Sequence, residues 1–556
     1  MRRSKWTSAF LCTALAGFML AACSNSDNAG NGGAATTEPS TDADQGEAVE
    51  SGPATAGLPI SQGDLTLKFF IDLDSKVGAT MKSYNEIAAF QEMEKRTGIH
   101  IDFQHPPVGQ TTDQLNLMRA SNSLPDIVFY NWPSIPGGAA KAIADKSILK
   151  LNDLVDKYAP NFKKILETNE EVRKMATLND GTIYMFPVLW IDPAVRVNYG
   201  FQIRKDWLDK LGLKVPETID EWYTTLKAFR EKDPNGNGDP TDEIPFVSSA
   251  GDFRNFSGAW GINASTGFYQ QDGKIKYSAM EPAYKDFLET MAKWYKEGLI
   301  DPEYASTDGK MKDSKITSDK GGAFIGSLSA NMGRYLGLAQ PNIEGFDLIG
   351  APAPIGPAGK PYTNTNNFIK SVPGPGAAIS MNNKHPEETV KWLDYLYGPE
   401  GIKLINWGIE GESYVMKDGK PQFTDIVTHN PDGLPMDQAV TRYALPHVAM
   451  PTVRVKDANW AITTTLPQQI DAVGTWEQSD TSLLLPLISP DEKDSARLAS
   501  IMNEVQTYED EMINKIVMGI EPVSKYEEGV ETLKRMGIEE AIGIMQDALD
   551  QYNQKK

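Results

Sequence analysis

Short apolar runs alternate with helically spaced apolar residues in the part of the chain that follows residue 63. The runs, which predict β-strands, are residues 65–71, 99–103 and 126–130. Between the first two runs, Ile87, Phe90 and Met93 recur at helical spacing before Gly98, a residue type that often ends a helix. Residues 112–120 predict another helix before the third run. Strands that alternate with helices predict a parallel sheet in an α/β fold.

Longer helical patterns follow. Helices are predicted at residues 203–212 and 218–231, and again from Pro386, whose two following glutamates favour a helix start, to Gly398. Two apolar stripes predict helices near the C-terminal end: Leu498, Ile501, Val505, Tyr508, Met512 and Ile516, and then Ile542, Met545, Leu549 and Tyr552.

The first twenty-three residues are typical of an export signal. Basic residues at positions 2, 3 and 5 precede an apolar segment, residues 6–18. That segment is shorter than the roughly 20 residues that a membrane-spanning helix needs. The sequence Leu20-Ala21-Ala22-Cys23 resembles the lipobox of bacterial lipoproteins. The resemblance implies cleavage before Cys23, lipidation of Cys23 and export of the rest, tethered to a membrane. The alternative is an ordinary signal peptide with a chance cysteine.

Residues 24–63 have the composition of a flexible tether. They are rich in Ser, Asn, Gly, Ala, Thr and Pro, and they carry six acids but no Lys or Arg. Such a segment cannot bury a core. About 40 flexible residues have an r.m.s. reach of about 35 Å, enough to hold a domain away from a membrane.

Cysteine and charge exclude several classes of site. The only cysteines are Cys12, in the segment to be removed, and Cys23, so a disulfide, a thiolate metal site and a cysteine nucleophile are excluded after Cys23. The net charge is −21, and cleavage would remove three bases and no acid. This charge argues against nucleic acid and anionic membranes as partners, and it disfavours strongly anionic ligands unless local bases reverse the field.

Several stretches together resemble the extracellular solute-binding lipoproteins of carbohydrate ABC importers. They are Leu124-Pro125-Asp126-Ile127-Val128, residues 204–212, residues 233–238 with 242–245, residues 321–326 and residues 408–414. The closer resemblance is to the large, LplA-like branch of family 1, found in Gram-positive bacteria. It implies a periplasmic-binding-protein-like type II fold, with two α/β lobes, crossing hinge strands and a ligand cleft between the lobes.

The resemblance also implies how the chain is divided. After the signal (1–22) and the tether with its lipidated cysteine (23–63), we expect the first part of lobe 1 at 64–188 and lobe 2 at 189–360. Residues 361–450 would return to lobe 1, and the helical residues 451–556 would pack on lobe 2. The crossings are expected near residues 184–197 and 351–369.

The loop at residues 233–243 predicts a Ca²⁺ site. Side-chain oxygens alternate along it, followed by a backbone carbonyl and two acids, and these are the hard ligands that Ca²⁺ prefers. The candidate ligands are Asp233, Asn235, Asn237, Asp239 through its carbonyl, Asp242 and Glu243. Glu243 stands at position eleven, where an EF-hand has its bidentate Glu at twelve. Similar loops in the family hold structural Ca²⁺. The alternative is a metal-free Asn-Gly turn.

The tryptophans predict a sugar site. Trp207, Trp222, Trp294 and Trp392 lie in helical patterns and are expected in the core, whereas the others after residue 63 are expected in loops or beside Gly, Pro or Asn. Trp190, Trp260 and Trp407 are the first candidates for stacking on a sugar, with Trp132 next and Trp460 and Trp476 below them; packing is the alternative for each. Tyr130 and Asn131 follow a strand's carboxyl end, where open α/β sheets bind ligands. Arg204 and Asn366, which has Asn364 and Asn367 beside it, are further candidates, with a surface ion pair and turn residues as the alternatives.

No catalytic motif is apparent. The five histidines lack metal-ligand spacing, and no nucleophile elbow or phosphate loop occurs. The leading hypothesis is a monomeric lipoprotein that captures a neutral or mildly polar oligosaccharide and delivers it to an ABC permease. A hydrolase with two carboxylates, which are brought together only in space, and a sugar sensor with a membrane partner are the alternatives.

Overall fold

The computed structural model describes residues 57–239, 241–365, 372, 374–488 and 490–555. The predicted signal, Cys23, most of the tether, Asn366 and Asn367 lie outside the described residues. Within the described part of the chain, no helix is both long enough and apolar enough to cross a bilayer.

Two sheets organise the strands of the described residues. The strands are β1 (Leu65–Phe70), β2 (Ile99–Gln104), β3 (Ile127–Tyr130), β4 (Phe186–Pro187), β5 (Tyr199–Arg204), β6 (Ile244–Phe246), β7 (Phe268–Gln271), β8 (Lys274–Tyr277), β9 (Gly321–Ser327), β10 (Leu348–Ala351), β11 (Gly376–Ile379), β12 (Tyr414–Lys417) and β13 (Lys420–Phe423). The first sheet has the order β2-β1-β3-β11-β4, and the second has the order β10-β5-β9-β6. The pairs β7-β8 and β12-β13 are separate hairpins. Below, lobe 1 means the part built on the first sheet and lobe 2 the part built on the second.

Strand direction is mixed in both sheets. In lobe 1, β1, β2 and β3 are parallel, and β11 runs antiparallel to β3 and β4. In lobe 2, β5 runs antiparallel to both of its neighbours, β9 and β10, whereas β6 is parallel to β9. The parallel α/β arrangement predicted from residues 64–130 is therefore confirmed, and the antiparallel strands come from later segments that enter each sheet.

Helices cover the sheets and form the C-terminal end. They are α1 (Ser75–Gly78), α2 (Ala88–Thr97), α3 (Thr111–Ala120), α4 (Gly138–Ala144), α5 (Asn152–Tyr158), α6 (Pro160–Thr168), α7 (Glu170–Ala176), α8 (Lys205–Leu211), α9 (Ile219–Glu231), α10 (Ala283–Lys296), α11 (Gly309–Thr317), α12 (Arg334–Ala339), α13 (Pro386–Tyr395), α14 (Pro399–Trp407), α15 (Asp425–Thr428), α16 (Met436–Ala439), α17 (Lys456–Thr463), α18 (Pro467–Trp476), α19 (Glu492–Val517), α20 (Tyr526–Arg535) and α21 (Ile538–Gln554). Short 3-10 helices include Trp132–Ser134 and Asp252–Trp260, and a π-helical turn spans Leu328–Gly333.

Local sequence explains the helix ends. Gly98 follows α2 in the left-handed conformation, with φ of 69°, and closes the helix through a hydrogen bond from its N–H to the carbonyl of Glu94. Thr218 and Glu221 form a capping box at the start of α9. The predicted helix at 203–212 is wrong in its first two residues, because Ile203 and Arg204 end β5. That strand is central and buried on both faces, so it lacks the alternation that would have predicted a strand.

Each lobe has its own apolar core. The core of lobe 1 includes Leu67, Phe69 and Trp392, and the core of lobe 2 includes Trp222 and Trp294. The C-terminal helices contribute to lobe 2 through residues of α19, α20 and the start of α21. Tyr552, near the end of α21, belongs instead to the core of lobe 1. The C-terminal helix therefore packs against both lobes.

Candidate functional site

The chain crosses between the lobes at one edge of each sheet. It leaves lobe 1 after β4 and enters lobe 2 at β5, and it returns after β10 to β11. Because β4 is parallel to β1, β2 and β3, the carboxyl ends of these four strands share an edge. The carboxyl ends of β6, β9 and β10 likewise share the edge at which β5 begins. The crossings join these two edges, and carboxyl ends are where open α/β sheets bind ligands.

Polar side chains line the lobe 1 edge. Asn131 directly follows β3 and is exposed, and Tyr130 is half-buried, with its hydroxyl 2.8 Å from Oγ1 of Thr112. Asp72 follows β1 and accepts a hydrogen bond from the Thr111 hydroxyl. Tyr130 and Asn131 therefore present polar atoms at the edge where the sequence predicted them. Trp132, by contrast, is fully buried in the core of lobe 1, so its ring has no free face for a ligand.

Trp190 lies on the first crossing, next to a second segment of the chain. Its ring is half-buried, and the guanidinium of Arg454 lies 4.8 Å from the ring centroid. The carbonyl oxygen of Trp190 accepts a hydrogen bond of 2.7 Å from Nε of Arg196. Its indole Nε1 is buried without a hydrogen-bond partner among the described residues. Trp190 is thus the first-choice tryptophan that keeps both an exposed part and an unsatisfied donor at the hinge.

A buried ion pair lies at the lobe 2 edge. Nζ of Lys312 donates to Oδ2 of Asp252 at 2.6 Å and to the carbonyl oxygen of Ile325 at 2.7 Å. Tyr199, the first residue of β5, is half-buried nearby, and burial together with the negative charge of Asp252 raises the pKa of its hydroxyl. The hydroxyl of Tyr199 therefore stays neutral and can both donate and accept hydrogen bonds.

The return segment after β10 adds an amide to this edge. Nδ2 of Asn364 donates to Oγ of Ser257 at 2.8 Å, whereas its Oδ1 is buried without a partner in the described structure. The segment lies very close to the 3-10 helix Asp252–Trp260, since a Cβ on Gly258 would stand 2.2 Å from the carbonyl oxygen of Tyr362. Asn364, which the sequence placed in a candidate cluster, thus has an unused acceptor, while Asn366 lies outside the described residues.

Other predicted ligand residues fill the protein interior. Trp260 packs in the core of lobe 2 with its ring 5.6 Å from that of Phe287. Trp407 packs in a small cluster, 4.7 Å from the ring of Phe423. These rings are 8% and 5% exposed, which leaves little of either face for a sugar. Both end helices rather than stand in loops, because helical spacing is hard to recognise beside the glycines that follow them.

Arg204, another predicted ligand residue, is also buried in the protein interior. Its side chain is 1% exposed and forms ion pairs of 2.5 Å with Asp206 and 2.7 Å with Asp319. The guanidinium lies over the rings of Trp207 and Phe346. These contacts hold the side chain within lobe 2. The predicted surface ion pair is in fact a buried one.

The remaining tryptophans also lie in helices and are buried or half-buried. Trp207, Trp222, Trp294 and Trp392 are buried, as predicted. Trp460 and Trp476 lie in helices rather than in loops. Trp476 packs against Gly200, where a Cβ would stand 2.4 Å from the ring, and its Nε1 donates to the carbonyl of Ala351 at 3.0 Å. This indole therefore fixes α18 against the two strands at the hinge side of lobe 2.

The loop at 233–243 is ordered by its own polar atoms. Asp233 accepts hydrogen bonds from the N–H groups of Gly236, Asn237 and Gly238. Asp242 accepts from the side-chain amides of Asn235 at 3.3 Å and Asn237 at 3.0 Å. Four of the residues predicted as ligands are therefore joined by hydrogen bonds within one loop.

Glu243 differs from the other acids of the loop. It is 3% exposed, and both of its carboxylate oxygens lack a hydrogen-bond partner in the described structure. Burial first, and then the charges of Asp242 and Asp233, raise the pKa of this carboxyl. No group of three or more His, Cys, Asp and Glu side chains arranged for a metal occurs among the described residues. An ion here would therefore need the two asparagines and a backbone carbonyl as additional ligands.

Sequence reasoning missed Tyr199, Asp252, Lys312 and Arg454. Their partners are distant in sequence: Lys312 is 60 residues from Asp252. No local spacing indicates such pairs, because folding alone brings them together. The one usable signal was the position of Tyr199 just after the predicted crossing.

Sequence relatives include substrate-binding proteins. The fructooligosaccharide ABC transporter substrate-binding protein FusA of Streptococcus pneumoniae is 33% identical over 366 residues, which cover 62% of this chain and 64% of FusA. Lipoprotein LipO of Bacillus subtilis is 26% identical over 388 residues, which cover 68% of this chain and 73% of LipO.

Solved structures share the fold over most of the chain. The alginate-binding protein AlgQ2, solved without calcium ion, has a TM-score of 0.69 and 27% identity, covering 88% of this chain and 99% of its own. S. pneumoniae FusA in complex with kestose has a TM-score of 0.68 and 26% identity, covering 88% and 100%. An EF-hand mutant of FusA in complex with fructo-nystose has a TM-score of 0.67 and 25% identity over the same shares. The predicted periplasmic-binding-protein-like type II fold is confirmed by these neighbours.

A family model adds the decisive match. It is described as bacterial extracellular solute-binding protein and matches residues 78–403. This range is more than half of the chain, and it contains most of both sheets and the first crossing. The resemblance inferred from the sequence is confirmed, and the chain belongs to the bacterial extracellular solute-binding protein family.

Proposed function

We propose that this protein captures an oligosaccharide between its two lobes and delivers it, unchanged, to an ABC permease. The observation that carries the proposal is the pairing of two polar sheet edges across the hinge in a solute-binding fold. FusA and AlgQ2, whose solved structures each match 88% of this chain, are named for binding a fructooligosaccharide and alginate. The lobe boundaries predicted from the sequence and a monomeric receptor remain part of the proposal.

The side chains at the two edges suit a sugar. A sugar ring offers an apolar C–H face for an aromatic ring and hydroxyls for polar groups. Trp190 and Tyr130 supply partly exposed rings, and Asn131 supplies an exposed amide. On the opposite edge, Asn364 has an unpaired carbonyl oxygen and Tyr199 a neutral hydroxyl. Closing the lobes on a sugar would satisfy these groups and exclude water from them.

A binding screen with a test for turnover examines this function. The chain from residue 24 is mixed with plant and bacterial oligosaccharides, thermal stabilisation is measured, and the best sugar is titrated by calorimetry and then recovered for chromatography. We expect stabilisation by mass action and intact sugar. Cleaved sugar would favour the hydrolase. A sugar that binds without reaching the cytoplasm of cells carrying the permease would favour the sensor.

The role of Trp190 is tested in the same assay. Loss of one stacking ring is worth on the order of 1–3 kcal/mol of binding free energy, so Trp190→Ala should weaken binding roughly 5- to 150-fold. Trp460→Ala is the matched control, because that half-buried ring lies under Lys456 on α17. Equal affinities for the parent and Trp190→Ala would remove Trp190 from the site.

We also propose that the loop at 233–243 holds a structural Ca²⁺ ion. The residues fit the ion, because Glu243 buries two unpaired carboxylate oxygens beside two other acids, an arrangement that a cation would stabilise. Asp233, Asp242, the side-chain oxygens of Asn235 and Asn237 and the carbonyl of Asp239 would complete the ligands. The neighbours described as an EF-hand mutant and as solved without calcium ion support this assignment.

Two variants test the calcium site. A chelator should lower the melting temperature of the parent, and Asp233→Ala should abolish that response. Glu243→Gln should remove the response too, yet it should stabilise the calcium-free protein, because it removes an unpaired buried charge. Asp272→Ala, at a turn aspartate with similar positive φ, is the control and should keep the response. A parent whose melting ignores both chelator and added Ca²⁺ would refute the site.

We further propose that Cys23 is lipidated and anchors the protein at the extracellular face of the membrane. The basic, apolar and Leu-Ala-Ala-Cys sequence supports this, as does the similarity to a protein named lipoprotein LipO. Cys23→Ala should release the protein from membranes or leave the precursor uncleaved. A variant that is processed and membrane-bound like the parent would contradict the anchor.

A further inference from the structure

Arg454 lies at the hinge beside the first crossing. Val453 pairs with Leu189 in a β-bridge, and the N–H of Arg454 donates to the carbonyl oxygen of Leu189 at 2.9 Å. Leu189 follows the carboxyl end of β4, so Arg454 stands next to the lobe 1 edge. Its guanidinium lies over the Trp190 ring, with 4.8 Å to the centroid, and both side chains are partly exposed.

Arg454 has no acidic partner in the described structure. Arg196 and Arg254, by contrast, have acidic partners: Arg196 is paired with Glu171 at 3.2 Å and Arg254 with Asp510 at 2.5 Å. The guanidinium of Arg454 instead makes one hydrogen bond, from Nη2 to the carbonyl oxygen of His447 at 3.2 Å. Burial lowers its pKa to about 10, which leaves it charged at neutral pH. A desolvated cation without a counter-ion is costly, and an anion that binds there relieves the cost.

The two residues that the Arg454 side chain contacts both carry buried polar atoms without partners. Nε1 of Trp190 and both ring nitrogens of His447 are buried without hydrogen-bond partners in the described residues. Burial lowers the pKa of His447 to about 4, so the ring is neutral and carries one N–H. The acids that influence His447 are Asp74 and Asp437; Asp437 is paired with Lys76 at 2.5 Å, and Asp74 accepts a hydrogen bond from the Lys76 N–H. Neither acid forms an ion pair with Arg454.

We propose that Arg454, Trp190 and His447 form a subsite for the carboxylate of a uronic acid residue in an acidic oligosaccharide. A planar guanidinium fork matches a carboxylate in bidentate geometry, and the indole and imidazole N–H groups are further donors for its oxygens. The inference rests on the proposed function and narrows its substrate class. It also supplies the local basic group that an anionic ligand needs in a chain of net charge −21.

Matched sugars test the subsite. Calorimetry compares trimers of galacturonate, glucuronate and mannuronate with their carboxyl-reduced counterparts, which differ only in charge and one oxygen. We expect at least one uronate trimer to bind about 10- to 100-fold more tightly than its reduced form, the range of one charge-assisted hydrogen bond. The preference should weaken with salt.

Variants at position 454 then test whether Arg454 causes the preference for the uronate over its reduced form. Arg454→Gln should bring the two forms to similar affinity, and Arg454→Lys, which keeps the charge without the fork, should retain part of the difference. Arg442→Gln, at an arginine paired with Asp432, is the control and should keep the full preference. Reduced trimers that bind as tightly as the uronates, or a preference that survives in Arg454→Gln, would overturn the subsite alone. If neither form of any trimer bound while another sugar of the screen did, the subsite alone would be overturned. Absence of binding by every sugar of the screen would overturn the proposed function with it.

Discussion

At the scale of single residues, the candidate site contains buried charged side chains. Each has few ion-pair or hydrogen-bond partners and little contact with water. Lys312 and Asp252 neutralise each other at the lobe 2 edge, and both side chains are nearly buried. Removing one member of such a pair leaves the other as an unpaired buried charge. These residues therefore tie the stability of lobe 2 to the geometry of the site.

Lys312→Met should lower the free energy of unfolding by about 3–5 kcal/mol, because Asp252 then stays buried without its counter-ion. Denaturant unfolding measures the change. Asp252→Asn combined with Lys312→Met should recover part of it, since the orphaned charge is gone. Lys285→Met is the control: its partner Glu527 is exposed, and we expect no measurable change. A Lys312→Met protein as stable as the parent would show that the pair is not structural.

His447 predicts a pH dependence with a definite sign. Burial lowers its pKa from the usual 6.5 to about 4, so below pH 6.5 the unfolded chain binds a proton that the folded protein does not bind. The contribution of His447 is fully present above pH 6.5 and is lost as the pH falls toward 4, by about 2–3 kcal/mol.

Comparison with a non-titrating ring isolates this effect. The difference in unfolding free energy between His447→Phe and the parent should grow in favour of the variant as the pH falls from 7 to 4. His429→Phe, at a histidine that is 80% exposed, is the control for replacing a surface histidine. A parallel pH dependence in parent and His447→Phe would mean that His447 titrates normally in the folded protein.

At the scale of elements, the return segment after β10 and the 3-10 helix Asp252–Trp260 approach closely. A Cβ on Gly258 would stand 2.2 Å from the carbonyl oxygen of Tyr362, so only glycine fits. This contact holds Asn364 against Ser257 at the lobe 2 edge. The position of the polar edge thus depends on the packing of two segments that are far apart in sequence.

Gly258→Ala should destabilise the protein by about 1–3 kcal/mol, because the added methyl group forces the two backbones apart. It should also weaken sugar binding if the return segment moves. Gly474→Ala is the matched control, because Gly474 lies in α18 with nothing within 4 Å of an added Cβ; it should be neutral or gain up to about 1 kcal/mol from helix propensity. Thermal melting of both variants measures these changes in stability. Equal melting temperatures for Gly258→Ala and Gly474→Ala would contradict the close approach of the two segments.

Some helices and strands could be predicted from the sequence, whereas the surroundings of several candidate site residues could not. The strands at 65–70, 99–104 and 127–130 and the helix after Thr218 follow from local periodicity and capping. Trp260 and Trp407 resembled ligand residues because small residues surround them, yet tertiary packing buries both. No local pattern in the sequence indicated Arg454. Its contacts with Trp190 and His447, and its lack of an acidic partner among the described residues, follow only from the folded structure.

At the scale of the whole molecule, two α/β lobes are joined at facing sheet edges by several segments. Residues 24–556 contain no cysteine, so the fold is held by two apolar cores and, by our proposal, one Ca²⁺ ion. Two large lobes that are joined only by short segments can open and close about the hinge that those segments form. Capture of a sugar by closure is the central claim of this account.

The distance between the lobe edges tests that claim most directly. Val108, four residues after β2, is 97% exposed at the lobe 1 edge, and Ala330, three residues after β9, is exposed at the lobe 2 edge. A Val108→Cys and Ala330→Cys double variant of the cysteine-free chain can be spin-labelled at these two positions and measured with and without the best sugar of the screen. We expect a shorter and narrower distance distribution at saturation, with the sugar recovered intact. An unchanged distribution with a bound sugar would contradict it.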